Sequence, residues 1–327
     1  MAQNFVSVCT ADTLSQAAAE LKKGSLVAFP TETVYGLGAD ATNQSAIDRL
    51  YEVKGRPVDH PLIVHISAME KMEIWASDIP TYAISLARDF WPGPMTLILP
   101  RSAVAEDFIT GGQDTVGLRV PAHVIALSLL SAFEKIGGLG IAAPSANRFG
   151  QVSPTTSEAV EAEIGKYLAP QDIILDGGPS LVGVESTIID CTGDLPRILR
   201  PGAVTESMIE ESTGLSLDQL LDQSNERNVR VSGSLDSHYS PKAEVIIGAL
   251  AEAGEGFIAL STIATPQGAI RLASPKNTED YARVLYAALR EGDAQGLQKI
   301  AVLAPAGDGL AIAIRDRLQR ASRGREQ

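Results

Sequence analysis

Strand-like and helix-like segments alternate along this chain, and the alternation predicts an α/β fold. Short apolar runs such as 25–29 have the length of buried strands, whereas segment 45–53 spaces its apolar residues as on one face of a helix. The same alternation begins again near residue 243. Because both halves alternate in this way, we expect two α/β units rather than one.

Cap and turn residues bound the predicted elements of the first unit. Thr10 or Asp12 can cap the first helix, which Gly24 would end. The run Trp91-Pro92-Gly93-Pro94 breaks the helix that precedes it. Helices are predicted at 10–21, 45–53, 82–90, 123–133 and 156–167, and strands at 25–29, 62–66, 95–99, 116–120, 140–143, 173–175, 186–190 and 197–199.

A polar stretch separates the two units. Residues 205–236 are rich in Ser, Glu, Asp, Asn and Gln, which predicts a short helix followed by an exposed linker. Beyond it, strands are predicted at 245–247, 257–260 and 300–303, and helices at 280–289 and 310–318. We therefore predict a first domain over 1–205, an interdomain linker over 206–241 and a small second domain over 242–327.

Composition disfavours several classes of protein. The formal net charge of −13 argues against a broad surface that coats nucleic acid, although a local basic cleft could still bind RNA or a nucleotide. Only Cys9 and Cys191 are present and they form no CxxC pair, so neither a disulfide framework nor a zinc ribbon is expected. The sequence lacks a signal segment and a long apolar span, which predicts a soluble cytoplasmic protein with no membrane partner.

Several well-known catalytic motifs are absent from the sequence. There is no GxxxxGK[S/T] phosphate loop and no GxSxG nucleophile elbow. The glycines of segment 138–143 precede a strand instead of joining a strand to a helix, so they do not form a dinucleotide loop. His60 and His65 lack the spacing of a helical metal pair, and no metal site is predicted.

Two short polar clusters point to an anion-binding site. Lys54-Gly55-Arg56-Pro57 follows a predicted helix, and Pro144-Ser145-Ala146-Asn147 follows a predicted strand. Fixed cations with small hydroxyl and amide groups suit a polyanion such as a nucleotide phosphate. Arg119 lies inside an apolar strand, where a buried guanidinium needs an anionic or carbonyl partner. The alternative for both clusters is structural, because cations favour a helix C-terminus and small polar residues cap helices.

The motifs of the first domain, taken in order, resemble those of the YrdC-like family. They are Pro30–Leu37, Lys54-Gly55-Arg56-Pro57, His60-Pro61-Leu62 with His65, Pro144-Ser145-Ala146-Asn147, Val184–Ile188 and Arg197–Gly202. The second domain is similar to that of the longer family members, with His238-Tyr239-Ser240-Pro241 as its first signature. The resemblance implies a twisted mixed sheet with a concave basic cleft, followed by a small Rossmann-like domain.

The resemblance also implies an activity. The long family members are L-threonylcarbamoyladenylate synthases, which convert L-threonine, bicarbonate and ATP into threonylcarbamoyl-AMP, pyrophosphate and water. That product supplies the threonylcarbamoyladenosine modification of tRNA, which implies a transferase partner in the same pathway. Mg²⁺ is expected to arrive with ATP and to keep several waters, with Glu32 as an outer-shell group.

Correspondence with the family implies a role for each site residue. Lys54 and Arg56 would be the catalytic cations, because they would clamp the triphosphate. The implied ATP-binding residues are Lys54, Arg56, His60, Thr115, Ser145, Asn147, Ser153, Arg200 and Tyr239. The implied threonine-binding residues are Thr33, His65, Arg119, Ala143 through its backbone, and Ser186. Because Tyr239 lies in the linker, the linker is also predicted to fold over the cleft as a lid.

Two other functions fit parts of the sequence. A basic cleft could hold structured RNA without chemistry, and even a synthase could make a weak RNA contact, although the acidic net charge disfavours both. Carbamoyl transfer by hydrogenase-maturation proteins uses a similar domain. Those proteins add zinc-binding cysteine repeats and an acylphosphatase-like segment, which this sequence lacks. Turnover of ATP distinguishes the synthase from an RNA-binding module.

Overall fold

The computed structural model of the chain contains a large mixed sheet and a smaller parallel sheet, and it describes residues 5–218, 229–231 and 239–324. The described strands are β1 (Val6–Val8), β2 (Val27–Phe29), β3 (Gly36–Asp40), β4 (Ile63–His65), β5 (Met95–Pro100), β6 (Thr115–Arg119), β7 (Ile141–Ala142), β8 (Ile173–Asp176), β9 (Thr187–Asp190), β10 (Arg197–Arg200), β11 (Glu244–Ile247), β12 (Gly256–Ile258), β13 (Ile270–Ala273) and β14 (Lys299–Val302). The described helices are α1 (Ala11–Lys23), α2 (Gln44–Lys54), α3 (Met72–Trp75), α4 (Thr81–Phe90), α5 (Asp107–Thr110), α6 (Val124–Lys135), α7 (Ser157–Ile164), α8 (Glu206–Thr213), α9 (Thr278–Ala294) and α10 (Leu310–Ser322). The α/β class with a second, smaller sheet is confirmed.

The first helix shows how local sequence sets the bounds of an element. The Thr10 hydroxyl accepts a hydrogen bond from the Thr13 N–H, and the Thr13 hydroxyl accepts one from the Thr10 N–H. This reciprocal capping satisfies backbone donors that the first turn leaves without partners. At the other end, Gly24 takes a left-handed conformation with φ of 95°. The predicted cap and stop are confirmed.

The large sheet brings the predicted site segments to its centre. Its ten strands lie in the order β1-β8-β2-β3-β7-β4-β6-β5-β9-β10. The pairs β4–β6 and β5–β9 are parallel, whereas β3–β7, β4–β7 and β5–β6 are antiparallel. In this mixed order the end of β4 lies beside the end of β6, through His65 and Arg119, whereas the end of β7 lies beside the starts of β3 and β4.

Three strands, β1, β3 and β13, were not predicted from the sequence. Two glycines interrupt the apolar pattern of β3, yet every residue of that strand is buried. A Cβ at Gly38 would lie 2.7 Å from the Ile141 side chain and 2.8 Å from that of Phe29, so only glycine fits there. The other two strands are short and lie at sheet edges. Because they are only partly buried, their sequences show a weak apolar pattern.

The second sheet has the parallel order β11-β14-β12-β13, which agrees with the small Rossmann-like unit expected. Its longest helix, α9, is capped by Asn277 and buries an apolar face that includes Tyr281, Leu285 and Leu289. Glu279, Arg283 and Glu291 of the same helix are exposed. Among the described residues no helix is both long and apolar enough to cross a membrane.

The short helix predicted at the start of the polar stretch is α8, and some of the described residues in the predicted linker are buried against one of the two domains. Helix α8 buries Ile209 in the core of the first domain, and Leu217 joins the same core. Val231 is 6% exposed, Tyr239 1% and Ser240 0%. The expectation of exposure over 205–236 is therefore wrong at Leu217 and Val231, because single apolar residues within the polar stretch are still buried in the hydrophobic core. Residues 219–228 and 232–238 of the predicted linker lie outside the described residues.

Candidate active site

A cavity lies where β3, β4, β6 and β7 meet the segment before β9. It is lined by Thr31, Thr33, Val34, Gly36, Ile63, His65, Arg119, Ala143, Pro144, Ser145, Glu185, Ser186, Arg200 and Tyr239. All five residues implied to bind threonine are in this set. Three of those implied to bind ATP, namely Ser145, Arg200 and Tyr239, line the same cavity.

Arg119 is the buried cation of the cavity. Its Nη2 lies 2.7 Å from Glu32 Oε1 and 2.9 Å from Thr33 Oγ1, and its Nε lies 3.4 Å from the Gly93 carbonyl. Neither N–H of Nη1 is hydrogen-bonded to a described residue, so this edge of the guanidinium can bind a ligand carboxylate. The other oxygen of Glu32 accepts from the Ala122 N–H at 3.0 Å. Glu32 therefore orients Arg119, and both of its oxygens accept hydrogen bonds; its outer-shell metal role stays a prediction.

His65 is a neutral, buried imidazole beside Arg119. Burial, and then the positive charge of Arg119, lower the pKa of His65 from 6.5 to about 3. Its ring packs edge-on against Phe29 with centroids 6.0 Å apart. His65 Nδ1 is buried without a hydrogen-bond partner in the described part of the chain. A buried ring nitrogen in that state is available to a ligand in the cavity.

Ser186 and Ala143 line the same cavity, and hydrogen bonds fix the orientation of both residues. The Ser186 hydroxyl lies 2.8 Å from Thr96 Oγ1 and accepts a bond of 3.1 Å from Arg200 Nη2. Arg200 Nε also donates to the Ser186 carbonyl at 3.1 Å, so the guanidinium fixes both groups. The Ala143 N–H donates to the Ile63 carbonyl at 3.0 Å. Only the carbonyl oxygen of Ala143 thus remains to bind a ligand.

Lys54 holds the backbone of the second polar cluster. Its buried ammonium donates to the carbonyls of Ser145 and Asn147, each at 2.5 Å. Burial, and then the charge of Arg56, hold the pKa of Lys54 well below its usual value. The resemblance implies that Lys54 binds phosphate directly, and the structure shows that it also binds two backbone carbonyls. Two of its three ammonium N–H groups are thus used to fix the backbone of the segment that carries Ser145 and Asn147.

Arg56 and His60 meet around one aromatic ring. Arg56 Nη2 donates to the Pro61 carbonyl at 2.9 Å, and its guanidinium lies 6.0 Å from the centre of the Phe149 ring. The His60 ring contacts the same phenylalanine edge-on at 5.3 Å. Burial lowers the pKa of Arg56 to about 10, and the nearby Arg200 contributes in the same direction. Two buried guanidiniums that repel each other favour an anion between or beside them.

The remaining implied ATP-binding residues lie outside the cavity lining. Thr115 is paired with Pro100 at the start of β6, and the Ser153 hydroxyl donates to Glu185 at 2.7 Å. Asn147 donates its side-chain N–H groups to nearby backbone carbonyls at 2.7 and 2.9 Å. Its buried Oδ1 has no partner among the residues described, so it remains an available acceptor. Of the implied ATP-binding set, three residues thus line the cavity, Arg56 and His60 meet at Phe149, and the other four lie elsewhere.

Glu185 is the functional candidate that the sequence analysis missed. Its carboxylate accepts hydrogen bonds from Ser153, from the Tyr286 hydroxyl at 2.8 Å and from Arg317 Nε at 2.9 Å. Burial alone would raise its pKa, but Arg317 and Arg200 outweigh burial and hold the pKa below the usual value. Tyr286 and Arg317 lie 101 and 132 residues further along the chain. No local pattern could have indicated that they converge on Glu185.

Comparison with known families agrees with this site. A family model described as "Telomere recombination", which represents the Sua5, YciO and YrdC proteins, matches residues 19–202. The chain belongs to this Sua5/YrdC family. A second model, described as "Threonylcarbamoyl-AMP synthase, C-terminal domain", matches residues 204–323. The resemblance stated from the motifs is therefore confirmed for both domains.

Members of the Sua5/YrdC family match this chain over nearly its whole length. The threonylcarbamoyl-AMP synthase of Pyrococcus abyssi is 39% identical over 323 residues, which are 94% of this chain and 93% of that protein. The synthase of Bacillus subtilis is 38% identical over 331 residues, 95% of this chain and 93% of that protein. The crystal structure of P. abyssi Sua5 complexed with L-threonine is 37% identical and has a TM-score of 0.86, covering 98% of this chain and 97% of that one. The chain is accordingly an enzyme, a threonylcarbamoyl-AMP synthase of the nucleotidyltransferase kind.

Proposed function

We propose that the cavity is where this synthase joins L-threonine, bicarbonate and ATP into threonylcarbamoyl-AMP, with release of pyrophosphate and water. The observation that carries the proposal is Arg119, a buried guanidinium that lines the cavity with one edge unused by the described residues. The P. abyssi relative complexed with L-threonine supports the proposal, because its fold matches nearly the whole chain.

On the threonine side, each polar group of the amino acid has a suitable partner. The carboxylate would pair with the free edge of Arg119, as a planar, charge-assisted contact. The carbonyl of Ala143 would accept from the amine, while His65 Nδ1 and the Ser186 hydroxyl would contact the remaining polar atoms. Because His65 stays neutral, it would add no charge beside the guanidinium.

On the nucleotide side, positive charge and backbone geometry would position the phosphates. Arg56 and Arg200 provide two buried cations, and Lys54 holds the segment 145–147 that edges the cavity. The threonine amine would first capture carbon dioxide or bicarbonate as a carbamate. A carbamate oxygen would then attack the α-phosphorus and expel pyrophosphate. Positioning and cations that face the developing charge would supply the catalysis, without a covalent enzyme intermediate.

Magnesium would enter this site as the ATP complex. Within the described residues no group of three or more His, Cys, Asp or Glu is placed to hold a metal ion. Glu185 of the cavity lining and Glu32, which orients Arg119, are both engaged by arginines. We therefore expect phosphate oxygens and water to hold Mg²⁺, which would neutralise charge on the leaving pyrophosphate.

The product implies a partner. A carbamoyl-phosphate mixed anhydride is a reactive acyl donor, so a transferase that places the threonylcarbamoyl group on a tRNA adenosine must consume it. We propose that such a transferase receives the product from this chain. With a net charge of −13, any RNA contact made by the chain itself would be local and weak.

Pyrophosphate release by the purified chain tests the proposal. L-threonine and bicarbonate would each be present or omitted, and the nucleotide product would be identified by mass spectrometry. We expect release only when both are present, together with a threonylcarbamoyl adduct of AMP. Salt-dependent RNA binding with no turnover of ATP in any combination would contradict the proposal and favour the RNA-binding alternative.

A further inference from the structure

A short segment before β9, residues 181–185, links the second domain to the cavity. Its backbone N–H groups donate to the carbonyls of Glu32 and Thr33, at 2.7 and 3.1 Å. On its other side, Arg283 of α9 donates from Nε to the carbonyl of the first residue of the segment, at 3.0 Å. The segment is therefore held between the second domain and the loop that orients Arg119.

The last residue of this segment, Glu185, is where two helices of the second domain meet the cavity lining. Tyr286 of α9 donates to its carboxylate, and so does Arg317 of α10. Arg317 is 1% exposed, and its Nη2 also lies 3.4 Å from the Glu185 carbonyl. A buried carboxylate needs such a cation, since an uncompensated charge there is strongly destabilising. Glu185 lines a cavity that is proposed to take anionic substrates.

The same arginine also supports Tyr239, another residue of the cavity lining. The Arg317 guanidinium lies 5.6 Å from the centre of the Tyr239 ring. The Tyr239 ring also stacks on the ring of Tyr286, with centroids 5.7 Å apart. The backbone of Tyr239 has a φ of 62°, an unusual value for a residue with a side chain, so its placement depends on surrounding contacts.

We propose that Arg317 is a positioning residue of the synthase: it neutralises Glu185 and holds Tyr239, so that the cavity accepts anionic substrates. The inference rests on the proposed function of the cavity. Arg317 is not among the lining residues, so it acts through the two residues that are. Without Arg317, Arg200 alone would offset the charge of the Glu185 carboxylate, which would then repel the threonine carboxylate and the triphosphate more strongly.

The test is the Arg317→Met variant of the full chain, assayed by pyrophosphate release. We expect the KM for threonine and the KM for ATP to rise about tenfold or more, with a smaller change in kcat. Arg315→Met is the matched control. Arg315 lies on the same helix, but its guanidinium donates to the carbonyls of Pro305 and Gly307 at 3.0 and 2.8 Å, so both KM values should stay unchanged.

A double variant separates the charge from loss of structure. In Arg317→Met/Glu185→Gln the carboxylate charge is absent but the Arg317 contact with Tyr239 is still missing, so we expect both KM values to return part of the way to those of the wild type. Thermal unfolding of all variants would be recorded in parallel. Unchanged KM values in the single variant, or a double variant as impaired as the single one, would overturn the inference. A wild-type chain that forms no adduct would overturn the proposed function as well, so the two failures are distinguishable.

Discussion

A single methyl group at Gly183 tests whether contact with the second domain shapes the cavity. Gly183 has a φ of 81°, and its N–H donates to the Thr33 carbonyl. A Cβ on this residue would lie 2.4 Å from the Ala282 carbonyl oxygen and 2.5 Å from the Arg283 Cα, both backbone atoms of α9. The substitution Gly183→Ala therefore forces the two domains apart at this contact.

The structure sets the size of the expected effect. Ordinary contacts begin at 3.4 Å, so α9 must retreat by about 1 Å from the segment that carries Glu185. A misplacement of about 1 Å can lower turnover by about a hundredfold. The left-handed backbone adds about 1 kcal/mol of strain, which lowers the free energy of unfolding but not the fit of the substrate.

Gly248→Ala is the matched control for that strain. Gly248 has a φ of 80°, and an added Cβ there meets no atom within 4 Å. Pyrophosphate release would give kcat/KM for both variants, and urea unfolding would give their stabilities. We expect both to lose similar backbone stability, with the large loss of kcat/KM confined to Gly183→Ala. Equal kcat/KM values for the two variants would refute the reasoning.

Three further predictions concern the cavity and its supports. Arg119→Met leaves the Glu32 carboxylate buried without its cation, so urea unfolding should show a loss of about 3–5 kcal/mol. Adding Glu32→Gln should recover most of that stability but not threonine binding by calorimetry; recovered binding would contradict the assignment. Lys54→Met leaves two carbonyls without a donor, and we expect a loss of about 2–6 kcal/mol together with weaker ATP binding. Because the pKa of His65 is lowered from 6.5 to about 3, only the unfolded chain binds this proton between those pH values. Acidification through that window should lower the free energy of unfolding by up to about 1.4 kcal/mol per pH unit, and an equally steep slope in His65→Gln would contradict the prediction.

Features set by local sequence were the ones predicted well. The capped helix α1 needs only Thr10, Thr13 and Gly24, all close in sequence. The buried cation Arg119 was also recognisable, since a guanidinium in an apolar strand requires a partner. The sequence did not identify Glu32 as that partner, because 87 residues separate the two atoms that meet at 2.7 Å.

Features set by contacts between distant segments could not be predicted. The buried strand β3 needs glycine at position 38 because the side chains of Phe29 and Ile141 leave no room for a Cβ, and the residues of the strand itself do not show this. Glu185 gains its importance from Tyr286 and Arg317, which come from another domain. The family resemblance implies that Lys54 contacts phosphate, which stays a prediction, and only the fold shows that its ammonium also holds two backbone carbonyls.

The most direct measurement of the central claim uses ¹³C-labelled bicarbonate. The purified chain would be incubated with ATP, Mg²⁺, L-threonine and the labelled bicarbonate, and the nucleotides analysed by mass spectrometry. We predict a threonylcarbamoyl adduct of AMP that carries the label, forms only with threonine, and is lost in Arg119→Met/Glu32→Gln. Release of pyrophosphate without a labelled adduct, or an adduct that survives in that variant, would contradict the claim that this cavity joins the three substrates.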